Sequence, residues 1–131
     1  MYHRFNENKY PSTNIRNEIF LQHLNEIKKS EIGENCLSLE NFSIQEILPI
    51  IKNCDLYTGN DTSFMHISSA LGIKCIGIFV DSPAYSYSGY SDNIEAIVPE
   101  GETVESTTHD TLGKDKISFD EVLRKAKIYL D

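Results

Sequence analysis

The spacing of apolar residues divides this chain into alternating helices and strands. Ile15, Ile19, Phe20, Leu24 and Ile27 recur at helical intervals, and basic Lys28 and Lys29 end the run where a helix favours cations, so a helix is predicted over residues 12–29. A short strand is predicted at residues 35–39. Ser43-Ile44-Gln45-Glu46 then forms a capping box, and Ile44, Ile47, Leu48 and Ile51 supply one buried helix face. Pro49 lacks the N–H a helix interior needs and is predicted to kink or shorten this element, at about 3 kcal/mol if nothing compensates. Next, Leu56 and Thr58 share a face of a strand at residues 55–58, and Gly59 permits a sharp turn. Asp61 or Thr62 can cap the following helix, which Gly72 closes at its C′ position. Lys74-Cys75-Ile76-Gly77-Ile78-Phe79 is apolar almost throughout, the pattern of a strand covered on both faces. Residues 80–90 read as a loop rich in hydroxyls and aromatics, and residues 93–98 as a last strand stopped by Pro99 and Gly101. Residues 102–116 are polar and expected to be mobile. A second capping box, Ser118-Phe119-Asp120-Glu121, opens a final helix with Val122, Leu123, Ala126 and Leu130 inward.

This order is α/β: a Rossmann-like, mainly parallel sheet with flanking helices. The unit from residue 55 to residue 79 is a βαβ. It places Asn60, Asp61, Thr62 and Ser63 at the carboxyl end of a strand and at the positive end of a helix, where free N–H groups favour phosphate. A doubly wound sheet begins with a strand, yet nothing in the first ten residues reads as one. The 131 residues are therefore expected to form a single, partial domain lacking its first strand.

Gly59-Asn60-Asp61-Thr62-Ser63-Phe64-Met65-His66, followed by Ser69-Ala70-Leu71-Gly72 and an apolar strand, resembles the donor-site signature of glycosyltransferase family 9. That family comprises the ADP-heptose:lipopolysaccharide heptosyltransferases, two-domain GT-B enzymes. The likeness runs over roughly residues 8–100 and corresponds to the C-terminal, donor-binding half. It implies that the N-terminal acceptor domain is absent, together with the general base and acceptor contacts it carries. Tyr10-Pro11 looks like the Trp-Pro pair that starts the family's first helix after its opening strand.

Composition narrows the partners. Twelve basic against 20 acidic residues give a net charge of -8, which argues against general affinity for nucleic acid or an anionic membrane. An anionic ligand must therefore be held locally. No apolar run approaches a membrane span and the first residues are not a signal peptide, so a cytoplasmic location is expected, with the membrane approached only through an acceptor. Cys36, Cys54 and Cys75 form no CxxC and lie in or beside apolar runs, and are expected to be reduced core cysteines. His3, His23, His66 and His109 have no metal-ligand spacing, and no dinucleotide, P-loop or nucleophile-elbow motif occurs, so neither metal nor cofactor is expected.

Each candidate residue has a structural alternative. Asp61 is either an N-cap or, as the resemblance implies, a ligand of donor-sugar hydroxyls. Thr62 and Ser63 would offer N–H groups and hydroxyls to a diphosphate, and Ser63 stands where the family often has glycine. His66 lies one turn into the helix, either packed in the layer or near the donor sugar. Glu40 resembles a ribose ligand, or is a solvated loop residue. The family's loop lysine falls at Asn8 here, with Lys9 displaced by one, and Val80-Asp81-Ser82 replaces the usual Gly-Pro-Thr. Lys9 and Ser82 remain possible loop contacts, while the Asp81 charge would repel a diphosphate by about 1 to 4 kcal/mol. Two functions remain open. One is the donor half of a glycosyltransferase moving heptose or a related sugar from a nucleotide-diphosphate sugar, ADP-heptose-like, to a lipopolysaccharide-core or other glycan acceptor, with a separate chain as one source of the acceptor domain. The other is a non-catalytic remnant or interaction module that keeps the fold.

Overall fold

The structure is a computed structural model, and it describes residues 22, 25–31, 33–39, 41–113 and 116–130. The chain divides into two compact units, Met1–Phe42 and Ser43–Asp131.

In the first unit, residue 22 and residues 25–29 are helical, which agrees with the apolar spacing there; the rest of that predicted helix lies outside the described residues. Ser30 terminates the helical segment, its hydroxyl and amide both donating to the Ile27 carbonyl. The strand expected at residues 35–39 is not formed. Gly33–Asn35 is instead a 3-10 turn, closed by the Cys36 N–H on the Gly33 carbonyl, and residues 36–39 carry no strand assignment. An extended segment becomes a strand only by joining a ladder, and the turn already consumes Asn35.

The second unit holds a parallel three-stranded sheet and its helices. Helix α1 (Ile44–Lys52) starts at a complete capping box: Ser43 Oγ accepts from Glu46 N–H, and the Glu46 carboxylate accepts from Ser43 N–H at 2.8 Å. Ile47 and Ile51 are buried and Leu48 half-buried, but Ile44 is exposed, so the apolar stripe is narrower than predicted. The helix continues through Pro49 to Lys52. Strand β1 (Leu56–Asn60), helix α2 (Ser63–Ala70) and strand β2 (Lys74–Ile78) form the expected βαβ, and β2 pairs in parallel with β3 (Ile94–Ile97), giving the order β1-β2-β3.

One sheet face carries Tyr57, Cys75, Ala96 and Ile94, and packs with Met65 of α2, Phe79, and Ala84 of a short helix α3 (Ala84–Ser88). That helix replaces the predicted loop. Its five residues, Ala-Tyr-Ser-Tyr-Ser, are too few to show periodicity, and only Ala84 and Ser88 are buried. The other face includes Ile76 and Ile97, both essentially fully buried, and Glu95. Helix α4 (Phe119–Leu130) lies against β1 and β2 and reaches β3 through Lys125, which pairs with Glu95, and Tyr129, whose hydroxyl donates to Glu95 at 2.6 Å. Val122 and Ala126 are half-buried, whereas Leu123 and Leu130 are exposed, contrary to expectation.

Residues 102–113 are anchored where mobility was expected. Thr107, buried, receives the Ala84 N–H on its Oγ1 at 2.9 Å; Val104 packs on the core and its carbonyl accepts from Tyr85 N–H; Gly113 N–H donates to Val80. A segment poor in apolar residues is thus held by hydrogen bonds to backbone. Of the cysteines only Cys75 is buried, and burial pushes its thiol up to about 11; Cys36 and Cys54 are exposed, and Cys54 Sγ caps the Ile50 carbonyl.

Candidate functional site

Local chemistry builds the carboxyl edge of β1. The Tyr57 side chain reaches past Gly59, where a Cβ would stand 2.8 Å from its hydroxyl and push it aside. The Tyr57 hydroxyl donates to the Asn60 carbonyl and meets Thr62 Oγ1, both at 3.2 Å. These bonds pin the turn between strand and helix.

Helix α2 then begins with Thr62 as its N-cap residue in extended conformation, but no side chain caps it. Neither Asp61 nor Thr62 fills the capping role open to them in the sequence. The Thr62 carbonyl accepts from Met65 and His66, leaving the amides of Ser63 and Phe64 without an acceptor among the described residues. Two N–H donors at a positive helix end are suited to an anion. At the other end Leu71 is the C-cap, Gly72 has φ +85°, Ile73 N–H reaches the Ser68 carbonyl and Gly72 N–H the Ser69 carbonyl, a Schellman closure.

Asp61 turns to His66 instead of to the helix: Oδ1 lies 3.2 Å from Nε2, and the Asp61 side chain keeps 16% of its surface exposed. His66 Nδ1 lies 2.5 Å from the hydroxyl of Tyr90, with the rings 5.9 Å apart and tilted by 32°. Partial desolvation, then the nearby Cys75 and Asp61 charges, push the Tyr90 phenol above its ordinary value. The hydroxyl therefore keeps its proton at neutral pH. Tyr90, together with Tyr57, was not among the residues singled out from sequence. Tyr57 could have been found from its position two residues before the glycine; Tyr90 lies 24 residues from its partner, beyond any local pattern.

Of the other predicted residues, Asn60 ends β1 and is exposed, as are Thr62 and Ser63. Ser82 sits in the loop after β2, half-buried, with no hydrogen bond to the Asp61 group among the described residues. Asp81, in the same loop, is occupied: its Oδ1 accepts the Leu112 N–H at 3.2 Å, where Leu112 adopts φ +48°. Glu40 and Lys9 lie outside the described residues. Among the described residues no three His, Cys, Asp or Glu side chains form a metal-binding group, and no helix is long and apolar enough to cross a membrane.

Relatives agree with this architecture. The chain is 31% identical over 90 residues to lipopolysaccharide heptosyltransferase 1 of Campylobacter coli, a match covering 64% of this chain and 26% of that protein. It thus aligns with about a quarter of that relative's length. No solved structure is significantly similar to it. The family model of glycosyltransferase family 9 (heptosyltransferase) matches residues 16–115, which include the whole parallel sheet, the Asp61 turn and the α2 helix. The chain therefore belongs to glycosyltransferase family 9, a GT-B family, and carries a Rossmann-like α/β domain of that fold.

Proposed function

We propose that this chain is the donor-binding half of a glycosyltransferase that moves heptose or a related sugar from an ADP-heptose-like nucleotide-diphosphate sugar to a lipopolysaccharide-core or other glycan acceptor. The observation that carries this reading is the pair of unclaimed amides, Ser63 and Phe64, at the α2 N-terminus immediately after β1 and beside Asp61. In transfer, the bond between the sugar's anomeric carbon and the diphosphate oxygen breaks and the electron pair stays on the diphosphate. The helix N-terminus is placed to stabilise that added charge. The Asp61 oxygen not facing His66 accepts from sugar hydroxyls, and Ser63 and Ser82 add hydroxyl contacts. The acceptor hydroxyl forms the new bond, its proton passing to a base on an acceptor-binding domain, in the same longer protein or on a separate chain.

Calorimetric titration tests the donor site. ADP or an ADP-sugar is expected to bind more tightly than NAD and without added Mg²⁺. No binding of any nucleotide diphosphate at millimolar concentration, or binding only with a divalent ion, would remove the reading.

A further inference from the structure

A carboxylate only accepts hydrogen bonds, so the imidazole nitrogen facing Asp61, Nε2, carries a hydrogen. In the neutral ring Nδ1 then bears a lone pair, and the Tyr90 hydroxyl 2.5 Å away is the group that donates to it. The three side chains come from separate places: Asp61 from the turn after β1, His66 from the middle of α2, and Tyr90 from the turn after α3. They form one directed line, Tyr90 O–H to His66 Nδ1 and His66 Nε2–H to Asp61. We propose that Tyr90 is a positioning residue: by donating to Nδ1 it fixes the orientation of the His66 ring, and through His66 holds the Asp61 carboxylate beside the α2 N-terminus in the orientation that receives a sugar of the donor. The role in donor recognition rests on the donor-site reading above; the fixing of the ring does not.

Without the Tyr90 hydroxyl, nothing else among the described residues engages Nδ1; the Nε2–H is still drawn to Asp61, but the ring is held at one nitrogen only and is free to rotate. Asp61 then loses its fixed donor. Tyr90 is 60% exposed, so Tyr90→Phe removes the hydroxyl with little loss of packing.

The experiment joins nitrogen NMR of His66 to calorimetry, on the wild-type chain and on Tyr90→Phe, with thermal melting as the folding control. The wild type is expected to show an Nε2–H ring whose Nδ1 resonance is displaced as in a hydrogen-bonded acceptor, and Tyr90→Phe an Nδ1 resonance that has lost that displacement, with unchanged melting. The variant should bind ADP-sugar about five- to tenfold more weakly, the scale of one lost hydrogen bond, while ADP binding stays within about twofold. An unchanged Nδ1 resonance in Tyr90→Phe, or equal losses for ADP and ADP-sugar, overturns the proposal while leaving the donor site standing. If the wild type binds neither ligand, the donor-site reading fails and the donor role of Tyr90 falls with it, whatever the Nδ1 resonance. Should Tyr90→Phe melt early, both measurements are made at a temperature where the variant is fully folded, and the same outcomes decide.

Discussion

Asp61 sits at a helix entrance, yet its carboxylate is engaged by a side chain one turn ahead, not by helix amides. Asp61→Ala should therefore cost less stability than the about 0.5–2 kcal/mol of a lost N-cap. Asp61→Asn can still accept from His66 Nε2–H, and should melt within about 0.5 kcal/mol of wild type. If Asp61 binds sugar hydroxyls, the same variant should weaken an ADP-sugar by about 1.5–3 kcal/mol, with ADP unchanged. Melting curves and paired titrations check both statements. At this scale the sequence was informative wherever the determining contact is short in range. The order Asn60, Asp61, Thr62, Ser63 and the one-turn step to His66 placed these residues correctly at the carboxyl edge. Asp61 as cap or ligand stayed undecided there, because the choice depends on which way its carboxylate turns.

Among elements, those with chemical punctuation were the easiest to read. The capping box at Ser43 and Glu46, and the Gly72 closure of α2, each rest on contacts within a few residues, and both formed as expected. Ser43→Ala should cost about 0.5–2 kcal/mol, and Gly72→Ala about 1–2 kcal/mol because φ +85° crowds a Cβ, both measurable by denaturant unfolding. Elements decided at long range were misread: residues 35–39 lack a ladder, α3 is too short for a helical repeat to show, and residues 102–113 are tied down through Thr107 and Gly113. Helix α4 shows the same dependence. Its apolar face is weak, and much of its attachment is the Lys125 and Tyr129 grip on Glu95, 30 and 34 residues away in sequence. Lys125→Met should leave Glu95 without its counter-charge and cost about 1 kcal/mol or more, between the values for exposed and buried pairs.

For the molecule as a whole, acid sensitivity follows from two carboxylates. Ser43, through its side chain and then its amide, holds Glu46 below the usual range. Burial pushes Glu95 up, but hydrogen bonds from Lys125 and Tyr129 and the charges of Lys125 and Arg124 outweigh it and leave Glu95 lowered. A lowered folded pKa means stability that is complete above the unfolded carboxylate range, about pH 4.3, and lost as pH falls through the folded value. The melting temperature should decline on that acid side, and Glu95→Gln should flatten the slope. Among the described residues β1 is paired on one side only, so sedimentation is expected to show concentration-dependent self-association through that edge. A monodisperse, cooperatively melting monomer would count against it. Finally, the segment 102–113 grips the rest of the unit largely through its main chain, with Thr108 Oγ1 accepting the Asp110 N–H and the His109 ring lying 6.3 Å from that of Tyr87, while the side chains of Glu105 and Asp110 are exposed. Those two positions can accept many substitutions without loosening the anchor. The stretch beside α3 is thus a surface whose charge can drift over evolutionary time while the backbone beneath it stays put.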